Sequence, residues 1–367
     1  MGSAIQIPSF VETLKPYKPG MHMESLRREK KIEKIVKLAS NENPLGPSPK
    51  AREAIREGIS DLHRYPDTES FQLLKALSEK YQKKISEIVC GHGTDALLAY
   101  IINAFTGEGD EVLTSEGTFI GIYVNTNKLG RKLVTVPLLN YSYNLEALQK
   151  KVSKKTKIIY LANPNNPTGT LFSKKEFESF MEGIPQNILV ILDEAYVHYA
   201  ATFKEYPNGL EYDYPNLIVT RTFSKAYGLG GLRLGFAVAS SRIIQQIYKV
   251  KLPFEPHFLA QVGGEAALAD EVFLKKTMRA NELSLEMIEK KCEELGISYI
   301  KSYANFILLI FSQEKEAHLF HEACLEKGLI LRRTESFGIP HGIRISSGTI
   351  EETIFALSII EKAWVSL

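Results

Sequence analysis

Four nearly uninterrupted apolar runs, Ile158–Leu161, Ile188–Leu192, Leu217–Thr220 and Leu234–Ala239, constrain this chain more than any other feature. Each is too short for a buried helix and lacks the polar alternation of a strand with one wet face. Runs of this kind form strands covered on both faces, as in a parallel sheet between layers of helices. Glu87–Cys90, Glu111–Thr114 and Lys132–Val136 read as further strands, and helix-compatible stretches separate them. The predicted fold class is α/β: a large domain with a mostly parallel sheet flanked by helices, a smaller α+β C-terminal domain and an N-terminal arm.

At 367 residues the chain exceeds what one core usually supports, which predicts two domains. Pro253 and Pro256 break the pattern after Lys251, and residues 1–45, 46–252 and 253–367 are expected to be arm, large domain and small domain. The tail reads as strands Asn305–Phe311, Leu329–Arg332 and Gly342–Ser346, then a helix burying Ile350, Ile354, Leu357, Ile360 and Trp364. The segment before Pro44-Leu45-Gly46-Pro47 reads as an arm packing on the small domain or a second subunit.

A net charge of +2 gives no electrostatic case for nucleic acid or a membrane surface as a partner. The run Arg27-Arg28-Glu29-Lys30-Lys31 reads as a solvated helix face. Cys90, Cys292 and Cys324 are odd in number and widely spaced, which argues against a disulfide framework or a zinc site and fits a reducing cytoplasm. No apolar run is long enough to span a bilayer, and the first residues read as neither a signal peptide nor an anchor. Gln6 stands where a myristoylation signal after Gly2 needs Ser or Thr. No metal site is expected.

Four motifs carry chemistry. In Cys90-Gly91-His92-Gly93-Thr94-Asp95-Ala96 a glycine turn opens a helix, whose unpaired N–H groups form a ready phosphate site. Thr94 adds a hydroxyl and Asp95 is expected to cap the helix. The stretch also matches Gly-x-Gly-x-x-Ala, but the acid of a dinucleotide site belongs at the end of the next strand, and Asp110 stands at its start. The loop Asn163-Pro164-Asn165-Asn166-Pro167-Thr168-Gly169 follows a buried strand, at the edge where open α/β sheets bind ligands. Alone it is only a turn; beside the other motifs, Asn166 becomes a donor to a ring oxygen.

The third motif places Asp193 at the end of Ile188-Leu189-Val190-Ile191-Leu192, where a carboxylate is costly without a cation. A protonated pyridine nitrogen would serve, with Tyr196 at the opposite ring edge; an isolated strand-end Asp more often caps a helix. The fourth is Thr222-Phe223-Ser224-Lys225-Ala226-Tyr227-Gly228-Leu229-Gly230-Gly231, with Arg233 eight positions beyond Lys225. An imine-forming amine must be neutral, which from a reference near 10.4 needs a drop of about three units, roughly 4 kcal/mol. Desolvation and Arg233 act in that direction, while Thr222, Ser224 and Arg233 suit a phosphate dianion.

In this last stretch, and in the order of all four motifs, nearly the whole chain resembles the fold-type I pyridoxal-phosphate aminotransferases of class II. The resemblance implies a pyridoxal 5′-phosphate cofactor bonded to Lys225, with Asp193 on its ring nitrogen and Asn166 and Tyr196 on its ring oxygen. Gly93, Thr94, Asp95, Thr222, Ser224 and Arg233 would surround the phosphate, joined by Tyr65 from a partner subunit of a homodimer. Phe119 would stack on the ring where many members have Tyr. Pro16-Tyr17-Lys18-Pro19-Gly20, Leu38-Ala39-Ser40-Asn41-Glu42-Asn43-Pro44-Leu45-Gly46, Arg64-Tyr65-Pro66-Asp67 and Ile343-Arg344-Ile345-Ser346-Ser347-Gly348-Thr349 are most similar to the histidinol-phosphate branch. That likeness implies transamination of L-histidinol phosphate with 2-oxoglutarate in cytoplasmic histidine biosynthesis, with Tyr17, Asn43, Arg332 and Arg344 on substrate and the choice between Arg332 and Arg333 open. An aromatic-amino-acid aminotransferase and a phosphothreonine decarboxylase are rivals within the family. Outside it stand a dehydrogenase using Gly91–Ala96 and a cofactor-binding module without catalysis.

Overall fold

The computed structural model describes residues 5–14, 16, 26 and 32–367. Tyr17 and the basic run 27–31 lie outside the described residues. Thirteen strands are found among them, labelled here in chain order. The first seven after the arm strand β1 (Val36–Lys37) are β2 (Ile88–Gly91), β3 (Glu111–Ser115), β4 (Lys132–Val136), β5 (Thr156–Ala162), β6 (Leu189–Asp193), β7 (Leu217–Thr222) and β8 (Gly235–Ala239). These seven form one sheet in the order β2-β8-β7-β6-β5-β3-β4. Only β8 runs against the rest, pairing antiparallel with both β2 and β7.

All five residues of β6 and all six of β7 are buried, which the unbroken apolar runs require once helices cover both faces. Leu97, Leu98, Ile101 and Ile102 of the helix Gly93–Phe105 and Ile243, Ile244 and Ile247 of Ser241–Val250 enter the same core as these strands. Burying a side chain of that size stabilises by about 1.5–3 kcal/mol. The helix Lys174–Glu182 opens with a capping box in which Ser173 Oγ accepts from the Glu176 N–H and Glu176 Oε2 accepts from the Ser173 N–H.

The second sheet is antiparallel, ordered β12 (Arg332–Arg333), β13 (Gly342–Ser346), β10 (Phe306–Ile310), β9 (Ser298–Ile300). β11 (Leu329–Ile330) pairs parallel with β1, and Val36 and Leu38 sink into the core of this second sheet, so the end of the arm is a piece of the small domain. Chain order and core membership differ from expectation at one boundary. The helix Phe258–Leu268 sends Ala260, Ala267 and Leu268 into the large core, whereas Leu285, Ile288 and Cys292 of the next helix, Glu271–Leu295, enter the small one. The change of core therefore falls within that 25-residue helix and not at Pro253. The two prolines end one helix, but the chain folds back onto the same layer.

The final helix, Ile350–Val365, also departs from expectation. It buries Thr353, Ala356, Leu357, Ile359, Ile360 and Ala363, while Ile350 and Ile354 are half exposed. Small residues facing Glu271–Leu295 let the two helices approach, and the larger aliphatics at the start of the helix stay outside. The three cysteines are buried and unbridged, and burial raises each thiol to about 12.

Candidate active site

Register alone gathers the motifs at one edge of the large sheet. Ala162 at the end of β5 pairs with Asp193 at the end of β6, Asp193 with Thr220 on β7, and Thr222 with Gly235 on β8. Gly235 in turn pairs with Gly91 at the end of β2. The carboxyl ends of four parallel strands thus meet where the Asn163–Gly169, Asp193–Tyr196 and Ser224–Arg233 segments leave the sheet. A cavity of about 450 Å³ opens there, between this edge, the small domain and the arm. That volume lies within the range of small-molecule sites.

Its floor is Asp193, which is 3 % exposed. Asp193 Oδ2 accepts a 2.8 Å bond from the Tyr160 hydroxyl, and Oδ1 accepts from the Ala195 N–H. Both donors are neutral, so burial dominates and pushes the carboxyl up to about 6. Lys225 reaches the same cavity, with Nζ 3.2 Å from the Ser40 carbonyl and 5.9 Å from the centre of the Tyr196 ring. Desolvation, then the Arg344 guanidinium, lower its amine to about 8, which leaves roughly one-tenth of it neutral at pH 7.

At the phosphate end the helix Gly93–Phe105 has no side-chain cap, so its first N–H groups face the cleft unpaired by any cap. Asp95 does not cap it. The carboxylate instead turns toward Arg233, 3.7 Å away, and lines the cavity. Gly93 has φ +79°, and a Cβ there would sit 2.9 Å from Arg233 Nη2; a Cβ on Gly235 would sit 2.8 Å from the Thr94 N–H. Thr222 Oγ1 accepts from the Ser224 N–H, and Arg233 Nη1 donates to Ser224 Oγ at 3.5 Å and the Gly230 carbonyl at 3.1 Å. A tight glycine cradle, uncapped helical N–H groups, two hydroxyls and a guanidinium are what a phosphate dianion needs.

The wall opposite comes from the small domain and the arm. Arg332 and Arg344 are direct partners across β12 and β13, so their side chains share the face that looks into the cavity. Arg333, one residue on, takes the other face and bonds His318, with Glu335 3.3 Å away. The strand's period of two thereby separates the two arginines. Three consecutive arm residues each engage one side chain of the site. The Ala39 carbonyl accepts from Arg344, the Ser40 carbonyl from Lys225, and the Asn41 amide donates to the Tyr196 hydroxyl at 2.8 Å. Asn166 Oδ1 accepts from the other Arg344 nitrogen, and Phe119 lines the cavity beside it.

Two expected residues lie elsewhere. Asn43 does not line the cavity; its amide donates to the Ala226 carbonyl and Thr277, and its Oδ1 accepts from the Leu45 N–H, so it pins the arm. Tyr65 is 82 % exposed and stacks on Phe254 at 4.5 Å, remote from this chain's own cavity. Sequence reasoning missed Tyr160, Asn41 and Phe337, all of which line the cavity. A lone hydroxyl within Ile158-Ile159-Tyr160-Leu161 was a legible signal for the first. Among the described residues no cluster suits a metal ion, and no helix is long and apolar enough to cross a membrane.

The chain is similar to known proteins over nearly its whole length. A histidinol-phosphate aminotransferase 2 of Hydrogenovibrio crunogenus is 41% identical over 97% of this chain and 95% of its own. A histidinol-phosphate aminotransferase of Caldicellulosiruptor saccharolyticus is 38% identical over 92% and 94%. The crystal structure of histidinol-phosphate aminotransferase from Sinorhizobium meliloti, in complex with pyridoxal-5′-phosphate, superposes with a TM-score of 0.91 at 28% identity, covering 99% of both chains. The family pattern of aminotransferase class I and II matches residues 33–358, and the chain belongs to that family.

Proposed function

We propose that this chain is a pyridoxal-phosphate-dependent aminotransferase that moves the amino group of L-histidinol phosphate to 2-oxoglutarate, giving imidazole acetol phosphate and L-glutamate in histidine biosynthesis. One observation carries the reading: Arg332 and Arg344 stand in register above Lys225 and Asp193 in a single cavity. The names of the relatives supply the substrate.

The residues present fit the cofactor. Asp193 is a buried carboxylate whose bonded partners are neutral, and Gly93, Thr94, Thr222, Ser224 and Arg233 form a cradle for its phosphate. When bound, the cofactor supplies an electron sink for the pair left when the substrate's α-proton departs. Asp193, ionised above about pH 6, would hold the ring nitrogen cationic. Asn166 and Tyr196 would hold the ring oxygen, and Phe119, which lines the same cavity, would pack on the ring. Lys225 carries the proton away from the substrate's α-carbon and returns it; an amine lowered to about 8 is roughly one-tenth neutral at pH 7, enough for a base. Arg344 and Arg332 hold the anionic end of each substrate, a phosphate in one half-reaction and a carboxylate in the other. We place the work in the cytoplasm and in a homodimer, with Tyr65 reaching the partner's phosphate cradle.

The test follows the loss of the cofactor's visible band on mixing the loaded protein with each donor. Histidinol phosphate and glutamate should both discharge it. Histidinol should be roughly thirty- to several-thousand-fold less efficient, because it leaves the buried Arg344 and the partly buried Arg332 without an anion. Phenylalanine outrunning histidinol phosphate would move the chain to aromatic substrates.

A further inference from the structure

The two arginines of the cavity are held in an unusual way. Arg332 Cζ and Arg344 Cζ each stand 5.7 Å from the centre of the Phe337 ring. Phe337 is 5 % exposed and lines the cavity. It closes the one-turn helix Glu335–Phe337 directly after β12, and Gly338 at φ +86° turns the chain back toward β13. Thr334 locks this loop by donating to the Ile339 and Gly342 carbonyls at 2.7 and 2.8 Å. The backbone that carries the ring is therefore held on both sides.

The remaining contacts of Arg332 are slight. Its Nη2 donates to Ser336 Oγ at 3.4 Å, and among the described residues no carboxylate lies within ion-pair distance. Arg344 bonds the neutral Asn166 Oδ1 and Ala39 carbonyl and also stands 5.2 Å from the Phe306 ring, so Phe337 is the ring it shares with Arg332. A carboxylate would hold a guanidinium more firmly than a ring does. It would also cancel the charge that an incoming anion needs, and repel that anion. The face of an aromatic ring attracts a cation through its quadrupole while adding no net negative charge. One ring serving two guanidinium groups also orders both before the anion arrives, which removes part of the entropic cost of binding.

We propose that Phe337 is a positioning and specificity residue for the anionic end of the substrate, its ring holding Arg332 and Arg344 together as one dianion receptor. The inference rests on the proposed reading of this cavity as the substrate site. It makes Phe337, which touches no reacting atom, a determinant of how strongly phosphate and carboxylate donors are distinguished from neutral ones.

The experiment compares Phe337→Leu, which keeps most of the volume and removes the ring, with Phe337→Tyr, which keeps the ring. KM and kcat are measured for histidinol phosphate, histidinol and glutamate, and inorganic phosphate is titrated as a competitive inhibitor. Phe337→Leu should raise KM for histidinol phosphate and Ki for phosphate by about five- to thirtyfold, the size expected of partly desolvated cation–π contacts. Its kcat should stay within a factor of two or so, histidinol should be little affected, and Phe337→Tyr should recover most of the loss. The visible spectrum and the affinity for cofactor report whether the Leu variant still folds around its site. Equal losses for histidinol and histidinol phosphate, or an unchanged Ki for phosphate, would overturn the role of the ring. Should the wild type ignore histidinol phosphate altogether, the substrate reading fails instead. The ring is then judged on glutamate, whose KM the same two arginines control.

Discussion

Asp193 pays for its function in stability. Its carboxyl is raised from 3.8 to about 6 by burial, so the folded protein holds the proton more tightly than the unfolded chain does. For an acid with a raised folded-state value, ionisation opposes folding: the cost is absent below the unfolded value, grows as pH rises through the interval, and is complete above about 6. At 1.36 kcal/mol per unit the shift corresponds to ~3 kcal/mol at pH 8. In protein freed of cofactor, Asp193→Asn should therefore be more stable than the wild type at pH 8 by up to that amount. The advantage should shrink toward zero as pH falls from 6 to 4. Loaded with cofactor, the same variant should lose turnover by more than about a hundredfold, because the ring nitrogen no longer faces a carboxylate. Urea titrations at pH 8 and pH 4.5 measure the first effect. Equal stabilities at both pH values would mean that Tyr160 and the Ala195 N–H already compensate the buried charge. Sequence showed the cost, a carboxylate ending an apolar strand, but not Tyr160, whose hydroxyl meets Asp193 only through the pairing of β5 with β6.

At the scale of elements, the central large-domain strands were legible because burial on both faces leaves an unmistakable composition, and the edge strand β4 because its β-branched residues fall between turn signals. Lys132–Val136 has the same bounds in sequence and structure, and the apolar runs differ from β5 to β8 only at their ends. The short pieces β1 and β9 were not legible, since two or three residues carry no period. Neither was the true buried face of Ile350–Val365, where alanines and a threonine do the packing and outrank isoleucines. The choice between Arg332 and Arg333 illustrates the same limit: adjacent identical residues can be told apart only by the register of β12 on β13. Register gives a sharp expectation. Arg332→Ala should raise KM for histidinol phosphate by at least about tenfold, the cost of one charge-assisted contact. Arg333→Ala, which removes contacts to His318 and Glu335 on the far face, should change KM by less than about twofold and cost under about 1 kcal/mol of stability, as half-exposed ion pairs do. A reversal of those two phenotypes would mean that β12 pairs one residue out of step.

For the whole molecule, the cavity exists because three parts of the chain distant in sequence meet, and no single stretch of sequence announces it. The large sheet contributes Asp193 and Lys225, the small sheet Arg332 and Arg344, and the arm Ala39, Ser40 and Asn41. Sequence left the arm on the small domain or on a second subunit, and which of its residues face inward follows from Asn41, which adopts φ +54° and is buried with bonds to Tyr196, Ser346 and Asn305. The proposed homodimer would extend this argument beyond one chain through Tyr65. Its ring is exposed beside Phe254, and Ile59, Leu62, Phe71 and Leu252 are also large apolar side chains left open between residues 59 and 254. A residue so placed can serve a phosphate cradle only in another subunit. Protomers carrying Lys225→Ala and protomers carrying Tyr65→Ala should each be nearly inactive as homodimers, the first for want of a base and the second for a weakened hold on the cofactor. In a mixed dimer one of the two sites takes both defects, while the other keeps its own lysine and receives an intact Tyr65 from the neighbour. Mixing the variants under conditions of subunit exchange should thus restore activity, up to about one-quarter of the wild-type level if half the dimers are mixed and each carries one working site of two. Exchange is followed by mass-tagging one variant, so that mixed dimers are counted directly. Mixed dimers that form in that proportion and show no more activity than the parents would place Tyr65 outside the partner's site.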